Sequence, residues 1–294
     1  MMPTHGPRAY LGLLNPSFLL AGAGFYAAGL SVLDYLGLPL NGGRAVLGGL
    51  LVWSVQLTAN FARLHFDSLA ARAAGRESAS SSGAPAMLYA AIVAGGLTAI
   101  LGTGMAVQGH ASLTTWLLFG LGCLLAIGYS VPPARLETSG YGELAVSLGL
   151  AGFIPSFAFA LQTGELQRLV WLSTAPLVAL TFAMLLALRL PAYGADLQRG
   201  HRTLLVRLGW EMGMRMHDGA ILFAAVLLAA GVAGGLPRPI GWGGLIALPL
   251  AAAQIWQMGR IRAGLPPRWR HLTVGAVTLV CLMGYFTILG FVAG

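Results

Sequence analysis

The stretch 169-LVWLSTAPLVALTFAMLLALRL-190 decides the fold class, because it runs for 20 residues without a charged side chain before it reaches Arg189. A helix needs about 20 apolar residues to cross the hydrocarbon core of a bilayer. Eight further stretches have a similar length and apolar character. The sequence therefore predicts an all-α polytopic membrane protein with about nine transmembrane helices.

Composition supports this reading over the whole chain, of which 57% is hydrophobic and only 9% is charged. A soluble domain carries about 25% charged residues, so lipid must be the solvent for much of this surface. No second, soluble domain is evident, and residues 1–294 are interpreted as a single transmembrane domain. The predicted spans are Pro16–Leu36, Ala45–Phe66, Pro85–Val107, Leu113–Ser130, Leu144–Leu161, Leu169–Leu190, Gly219–Leu236, Gly241–Met258 and Leu272–Val292.

The distribution of arginine predicts the orientation. All 17 basic residues are Arg, and 14 of them, Arg8 and Arg76 included, fall on the side of the N-terminus and the long loops. The other side holds only Arg44, Arg168 and Arg238. By the positive-inside rule the N-terminus and the long loops are cytoplasmic, and the protein is assigned to a bacterial inner membrane. The charge of +8 is attributed to topology and to anionic lipid or substrate, and no nucleic-acid partner is expected.

Cysteine usage and the N-terminus exclude other classes. Cys123 and Cys281 both lie in apolar segments, with neither zinc-site spacing nor a disulfide framework. The first apolar run follows a short stretch with Arg8 and is interpreted as a span, not as a cleavable signal peptide. The polar stretch Glu77–Gly83 is predicted to be flexible.

Three polar segments lie on the same predicted membrane face. They are 60-NFARLHFD-67, 129-YSVPPAR-135 with 140-GYGE-143, and 190-LPAYGAD-196 with 200-GHRTLLVRLG-209. Ionisable groups at the edge of a helical bundle are costly unless they are paired, and they mark functional sites. The candidate site is therefore placed where these segments meet.

Together the three segments resemble the UbiA superfamily of intramembrane prenyltransferases, over nearly the full length of the chain. The middle segment is similar to a family pattern YSxPPxRxK…GxGE, and the third to DYEADxxxGKRTLxVRLG; the run 202-RTLLVRLG-209 is the most specific match. Within that superfamily the chain resembles the branch that prenylates dihydroxynaphthoate in menaquinone synthesis. The resemblance implies a nine-helix bundle around a central cavity, with aspartate-rich motifs after the second and sixth helices.

The resemblance also implies the chemistry. A prenyl diphosphate ionises, an aromatic or quinone-precursor acceptor attacks the allylic carbocation, and Mg²⁺ held by aspartates neutralises the leaving diphosphate. Prenyl diphosphate, the aromatic acceptor and membrane lipid are the expected partners. By this reading Asp67 and Asp196 are the catalytic and metal-binding residues. The substrate-binding residues are Asn60, Arg63, Tyr129, Arg135, His201 and Arg202.

The chain departs from the family at several of these positions. The first motif has the form NDxxDxxxD, and its other positions fall on Arg63, Leu64 and Ala71, so that only Asp67 is kept. In the second motif only Asp196 is kept, and its other acidic positions fall on Ala192 and Gly194. The lysines of the middle and third patterns fall on Glu137 and His201. Two aspartates in register do not build two metal cages, although one shared Mg²⁺ is compatible with them.

Alternatives stay open at the level of residues and of function. Asp67 is also placed to pair with Arg63, four residues earlier on the same helix face, and Asp196 to cap the next helix. Arg63 is either an interfacial arginine or a fixed cation that replaces part of the metal's charge. At the level of function, the alternatives are a non-catalytic relative that binds isoprenoid lipid or a membrane partner, an altered enzyme such as a terpene cyclase, and, less favoured, a transporter.

Overall fold

The computed structural model describes residues 14–75, 84–107, 109 and 111–294. Arg8, Arg76 and the stretch Glu77–Gly83, for which orientation and flexibility were predicted, lie outside these residues. Within them the chain is helical and has no strands, and nine helices are long and apolar enough to cross a membrane. The predicted all-α bundle of nine spans is therefore confirmed for the described residues.

Eleven helices follow one another in the described chain, and two of them are too short to span. They are α1 Pro16–Tyr35, α2 Gly42–Ala73, α3 Ala84–Val107, α4 Leu113–Ser130, α5 Leu136–Ser139, α6 Gly142–Thr163, α7 Arg168–Arg199, α8 Leu204–Leu208, α9 Trp210–Ala233, α10 Arg238–Arg262 and α11 Trp269–Val292. Helix α6 includes a π-helical stretch at Leu148–Phe153, and α7 tightens to a 3₁₀ turn at Leu190–Ala192.

The long loops predicted between the spans are shorter in the structure, because several helices continue beyond their apolar residues. Helix α2 runs to Ala73, so Asp67 lies within a helix and not at the start of a loop. Likewise α9 begins at Trp210, which places Asp218 inside it. Hydropathy marks only the hydrocarbon core, about 30 Å thick, whereas a helix is free to continue through the headgroup region. The 32 residues of α2 extend about 48 Å at 1.5 Å per residue.

Helices α1 and α6 pack against each other in the interior, and α6 is the most buried span. A Cβ atom at Gly29 of α1 would lie 2.2 Å from the carbonyl oxygen of Pro155 in α6. Only glycine permits this approach of the two backbones. The outer helices α3 and α4 instead expose apolar side chains such as Ile100, Val93 and Leu124, as a lipid-facing surface requires.

Two buried clusters fill the halves of the bundle. Residues of α1, α2, α3, α4 and α6 form one, around Leu51, Leu118 and Phe157. Residues of α1, α6, α7, α9, α10 and α11 form the other, around Leu177, Ile221 and Met283.

Arginine side chains form hydrogen bonds that link neighbouring helices near their ends. At the end opposite the polar segments, Arg44 Nη1 donates to the carbonyl of Gln162 at 3.2 Å, and Arg168 Nη2 donates to the carbonyl of Gly234 at 2.8 Å. Both carbonyls lie at helix C-termini, where a cation is favoured. At the end of the polar segments, Asp218 of α9 accepts from Arg262 Nη2 of α10 at 2.5 Å.

Candidate active site

The last turns of α2 carry three polar side chains on one face, because residues three and four apart lie next to each other on a helix. Arg63 Nη2 donates to Asn60 Oδ1 at 3.3 Å, and Arg63 Nη1 donates to Asp67 Oδ2 at 3.3 Å. Asn60 is buried, whereas the side chains of Arg63 and Asp67 are partly exposed. The pairing of Asp67 with Arg63 that the spacing predicted is therefore present.

Arg135 joins this group from the segment after α4. Its Nη2 donates to Asp67 Oδ1, so both carboxylate oxygens of Asp67 are bound by a guanidinium group. The backbone of Arg135 has φ +32°, in the left-handed region that residues other than glycine rarely adopt. Such strain persists only where surrounding contacts hold it, and the pairing with Asp67 is one such contact.

Glu137 on the short helix α5 links α2 to α7. Its Oε1 accepts from Arg63 Nη1 at 3.5 Å and from Arg189 Nη2 at 3.4 Å. Arg189 Nε also lies 3.9 Å from Oε1 of Glu143, in the first turn of α6. We call this chain of alternating charges the arginine–carboxylate ladder; its members in order are Arg135, Asp67, Arg63, Glu137, Arg189 and Glu143.

Asp196 lies beside the ladder. It is 3% exposed, its Oδ1 lies 3.5 Å from His201 Nδ1, and its carbonyl accepts from the His201 backbone N–H at 3.0 Å. Asp196 also acts electrostatically on Glu143 and Arg189. The two motif aspartates therefore belong to one charged region, with Arg189 and Glu143 between them.

The middle and third polar segments pack against each other. The Arg202 backbone N–H donates to the Thr138 carbonyl at 3.1 Å, and Arg207 Nη1 donates to the Ser139 carbonyl at 2.8 Å. The Arg207 guanidinium also lies 5.4 Å from the centre of the Tyr141 ring. Gly140, which has φ +89°, lies at the contact between the two segments. A Cβ atom at this position would lie 2.4 Å from Arg207 Cδ.

An apolar cavity of about 110 Å³ opens between α1, α2, α4 and α6. Phe18, Leu51, Phe119, Phe157 and Gln56 are among its lining residues, as is Tyr129 near the end of α4. Tyr129 interacts electrostatically with Glu137, Arg189 and Arg63. Tyr129 thus connects an apolar cavity to the arginine–carboxylate ladder.

The structure brings together most of the residues that the sequence selected. Asn60, Arg63, Asp67 and Arg135 are linked by hydrogen bonds, with Tyr129 nearby, and Asp196 with His201 lies alongside. Arg202 is exposed and contributes a backbone hydrogen bond that joins the two loops. The catalytic, metal-binding and substrate-binding roles of all these residues stay predictions.

The sequence reading missed three residues of the charged region. Arg189 had been counted as a helix-end arginine, Glu137 as a lost lysine, and Glu143 only as part of a motif. The signal that existed for the two glutamates was their position within the matched pattern, in a chain with only nine acidic residues. The signal for Arg189 was its place at the end of an otherwise uncharged span.

The donor set does not fit a divalent ion at Asp67. Mg²⁺ needs near-octahedral oxygen ligands and keeps several waters, so a protein carboxylate must offer it a free oxygen. Both oxygens of Asp67 are bound by arginines, and Asp196 is buried against His201. Within residues 14–75, 84–107, 109 and 111–294, no three His, Cys, Asp or Glu side chains are grouped to hold a metal ion.

The fold matches solved structures along almost its whole length. A UbiA homolog from Archaeoglobus fulgidus bound to GPP and Mg²⁺ aligns with a TM-score of 0.67 at 14% identity, covering 97% of this chain and 99% of that chain. A digeranylgeranylglyceryl phosphate synthase aligns with a TM-score of 0.65 at 15% identity, covering 98% and 97%. A UbiA homolog from Aeropyrum pernix K1 aligns with a TM-score of 0.60 at 14% identity, covering 91% and 97%.

Identities this low show the shared fold alone, and no curated protein matches the chain. The sequence itself supplies the stronger relation, because the profile of the UbiA prenyltransferase family matches residues 17–272. That match covers all three polar segments and the charged region they form. With its nine apolar helices, this chain is an integral membrane protein that belongs to the UbiA prenyltransferase family.

Proposed function

We propose that this chain transfers a prenyl group from a prenyl diphosphate to an aromatic or quinone-precursor acceptor inside the membrane. The observation that carries the proposal is the arginine–carboxylate ladder next to an apolar cavity, with Tyr129 lining the cavity within electrostatic reach of the ladder. A prenyl diphosphate has the same division, since an anionic head is joined to an apolar tail. The GPP and DMAPP bound in structures of the A. fulgidus homolog support the same ligand class.

The proposed chemistry follows from the pairing of a charged region with an apolar cavity. The bond between the allylic carbon and the diphosphate oxygen breaks, and both electrons leave with the diphosphate. Guanidinium groups aimed at that oxygen stabilise the charge as it develops. The apolar cavity keeps water from the carbocation until a ring carbon of the acceptor attacks it, after which the ring loses a proton to the released diphosphate.

Asp67 has a second possible role besides the metal ligation that the sequence predicts. Its carboxylate holds Arg63 and Arg135 together, so it orients two cations towards the same region. Asp196 has a similar relation to His201, at the position where the family pattern has a lysine. Both aspartates are proposed as necessary for transfer.

The favoured orientation places this end of the bundle in the cytoplasm of a bacterium, where prenyl diphosphates are soluble. Its support is the distribution of 14 arginines against three along the sequence. The three arginines of the opposite side include Arg44 and Arg168, whose hydrogen bonds to helix C-termini give them a local structural reason to be there.

A second candidate is a relative that binds isoprenoid lipid without turnover. The observation that favours it is the full occupation of Asp67 by two arginines, together with the loss of acidic groups at Leu64, Ala71 and Ala192. Such a protein would bind a prenyl chain in the cavity and release no diphosphate.

The test is to incubate the full chain in nanodiscs with geranyl, farnesyl or geranylgeranyl diphosphate and a mixture of aromatic acceptors. Mass spectrometry is expected to detect an acceptor that has gained one prenyl group, and the mass then identifies donor and acceptor together. Folded protein that binds isoprenoid but forms no product with any pair, with or without Mg²⁺, would favour the non-catalytic candidate.

A further inference from the structure

Two departures from the family pattern lie in contact with each other. Arg63 stands at the position of a neutral Asn, and Glu137 stands at the position of a Lys. In the structure Arg63 Nη1 lies 3.5 Å from Glu137 Oε1. The family pattern has a positive charge at position 137, after α4. In this chain the positive charge is instead on Arg63 of α2, which contacts Glu137.

The local balance of charge differs from the pattern by about the charge of one divalent cation. The positions that have lost an acidic group are Leu64, Ala71, Ala192 and Gly194. Arg63 adds one positive charge, Glu137 replaces one lysine, and His201, which the formal charge counts as neutral, replaces another. Relative to the family pattern, this region therefore gains about two positive charges, at the positions where the pattern would bind metal.

Arg63 contacts oxygen atoms of three side chains in the charged region. Its guanidinium group lies within 3.5 Å of oxygens from Asn60, Asp67 and Glu137, which come from two different helices. The side chains of Arg63 and Arg135 are 24% and 19% exposed, so both stay accessible from the charged end of the bundle. A fixed guanidinium thus lies among the oxygen atoms of Asn60, Asp67 and Glu137.

Diphosphate competes well for such groups. It carries more negative charge than a carboxylate and offers several oxygens to the planar fork of an arginine. Binding would exchange part of the contact with Asp67 and Glu137 for contact with phosphate oxygens. Resting on the proposed function, we infer that Arg63 and Arg135 bind the diphosphate of the donor directly, without a divalent cation.

The experiment measures the binding of geranyl diphosphate to the full chain in phosphatidylcholine nanodiscs, in EDTA and in Mg²⁺. Wild-type protein is expected to bind with similar affinity in both, and inorganic diphosphate is expected to displace the ligand in EDTA. Arg63→Asn is expected to weaken binding in EDTA about ten- to a hundred-fold, the loss of a hydrogen bond to a charged group. Arg270→Gln, at an exposed arginine outside the ladder, is expected to leave affinity unchanged.

A double variant separates the guanidinium from net charge. Arg63→Asn with Glu137→Gln keeps the wild-type charge and removes both partners of the pair, and it is expected to stay weak in EDTA. Wild-type affinity in this variant would overturn the role of Arg63, as would failure of inorganic diphosphate to compete. Binding only in Mg²⁺ would overturn the inference and leave the proposed function standing, whereas no binding in either condition would overturn both.

Discussion

At the scale of single residues, Glu137 controls how much of the positive charge in the ladder is free. It shares its Oε1 between Arg63 and Arg189, and its Oε2 is buried without a hydrogen-bond partner. A buried carboxylate oxygen without a partner is destabilising. Glu137 therefore holds two arginines at a cost to stability. Replacing it is expected to free these arginines to bind an anionic ligand more strongly.

Glu137→Gln is expected to tighten the binding of geranyl diphosphate several-fold, because Arg63 and Arg189 lose a competing anion. The measurement is a titration in EDTA at low ionic strength, where charge interactions are least screened. Glu211→Gln, at an exposed carboxylate in the first turn of α9, is the matched control and is expected to have no effect. Weaker binding in Glu137→Gln would contradict a competition between carboxylate and diphosphate.

At the scale of helices, the packing of α1 on α6 depends on one glycine. A methyl group at Gly29 would overlap the backbone of Pro155, whereas a methyl group at Gly24, also in α1, would meet no atom within 4 Å. Gly29→Ala is expected to destabilise the protein by about 1–3 kcal/mol, the usual cost of overpacking. Gly24→Ala is expected to be neutral or slightly stabilising, since alanine favours helix.

Thermal unfolding in detergent, followed by fluorescence, compares the two variants. Equal melting temperatures for Gly29→Ala and Gly24→Ala would contradict the close approach of α1 and α6.

Gly140, in the turn between α5 and α6, and Gly200, directly after α7, form a second matched pair of glycines. Gly140 and Gly200 both have a positive φ, so alanine at either position costs about 1 kcal/mol of backbone strain. Only at Gly140 does the added methyl group also overlap Arg207. Gly140→Ala is therefore expected to lower turnover and stability more than Gly200→Ala, because it pushes α8, which carries Arg207, away from the turn that follows Glu137.

Initial rates and melting temperatures measured on the same preparations provide this comparison. If Gly200→Ala is as damaging as Gly140→Ala, the contact between the loops is not needed for the site.

Hydropathy was sufficient to predict the nine spans, because each apolar run must be long enough to cross the hydrocarbon core. It did not predict that α2 continues to Ala73, since a helix in the headgroup region needs no apolar residues. For the same reason Asp67 was placed at the start of a loop, although it lies on one helical face with Asn60 and Arg63.

The charged region was only partly predictable. The local pair of Arg63 and Asp67 follows from a spacing of four residues within one helix. The contacts of Glu137 with Arg63 and Arg189 join positions 74 and 52 residues apart, and no local pattern encodes them. Motif matching pointed to kept aspartates, whereas half of the ladder consists of residues at which the chain departs from the motif or that no motif includes: Arg63, Glu137 and Arg189.

At the scale of the whole molecule, orientation in the membrane decides whether the site meets the soluble pool of prenyl diphosphates. The arginine distribution predicts that Arg270 is cytoplasmic and that Glu165, in the turn between α6 and α7, lies on the other side. Single cysteines are to be introduced at each position after Cys123 and Cys281 are replaced by alanine.

An impermeant maleimide is expected to label Glu165→Cys in spheroplasts and Arg270→Cys only in inverted vesicles. The reverse pattern would contradict the predicted orientation and would place the charged region on the outer side.

The most direct test of the proposed transfer counts diphosphate and product together. With an accepted donor and acceptor, we expect one diphosphate released for each acceptor prenylated, and about a hundred-fold slower release in Asp196→Asn. Asp34→Asn is the control, because Asp34 lies in the last turn of α1, at the end of the bundle away from the polar segments. This variant is expected to keep the wild-type rate. Diphosphate released without consumption of acceptor would indicate a cyclase, and no release from folded protein would contradict a transferase altogether.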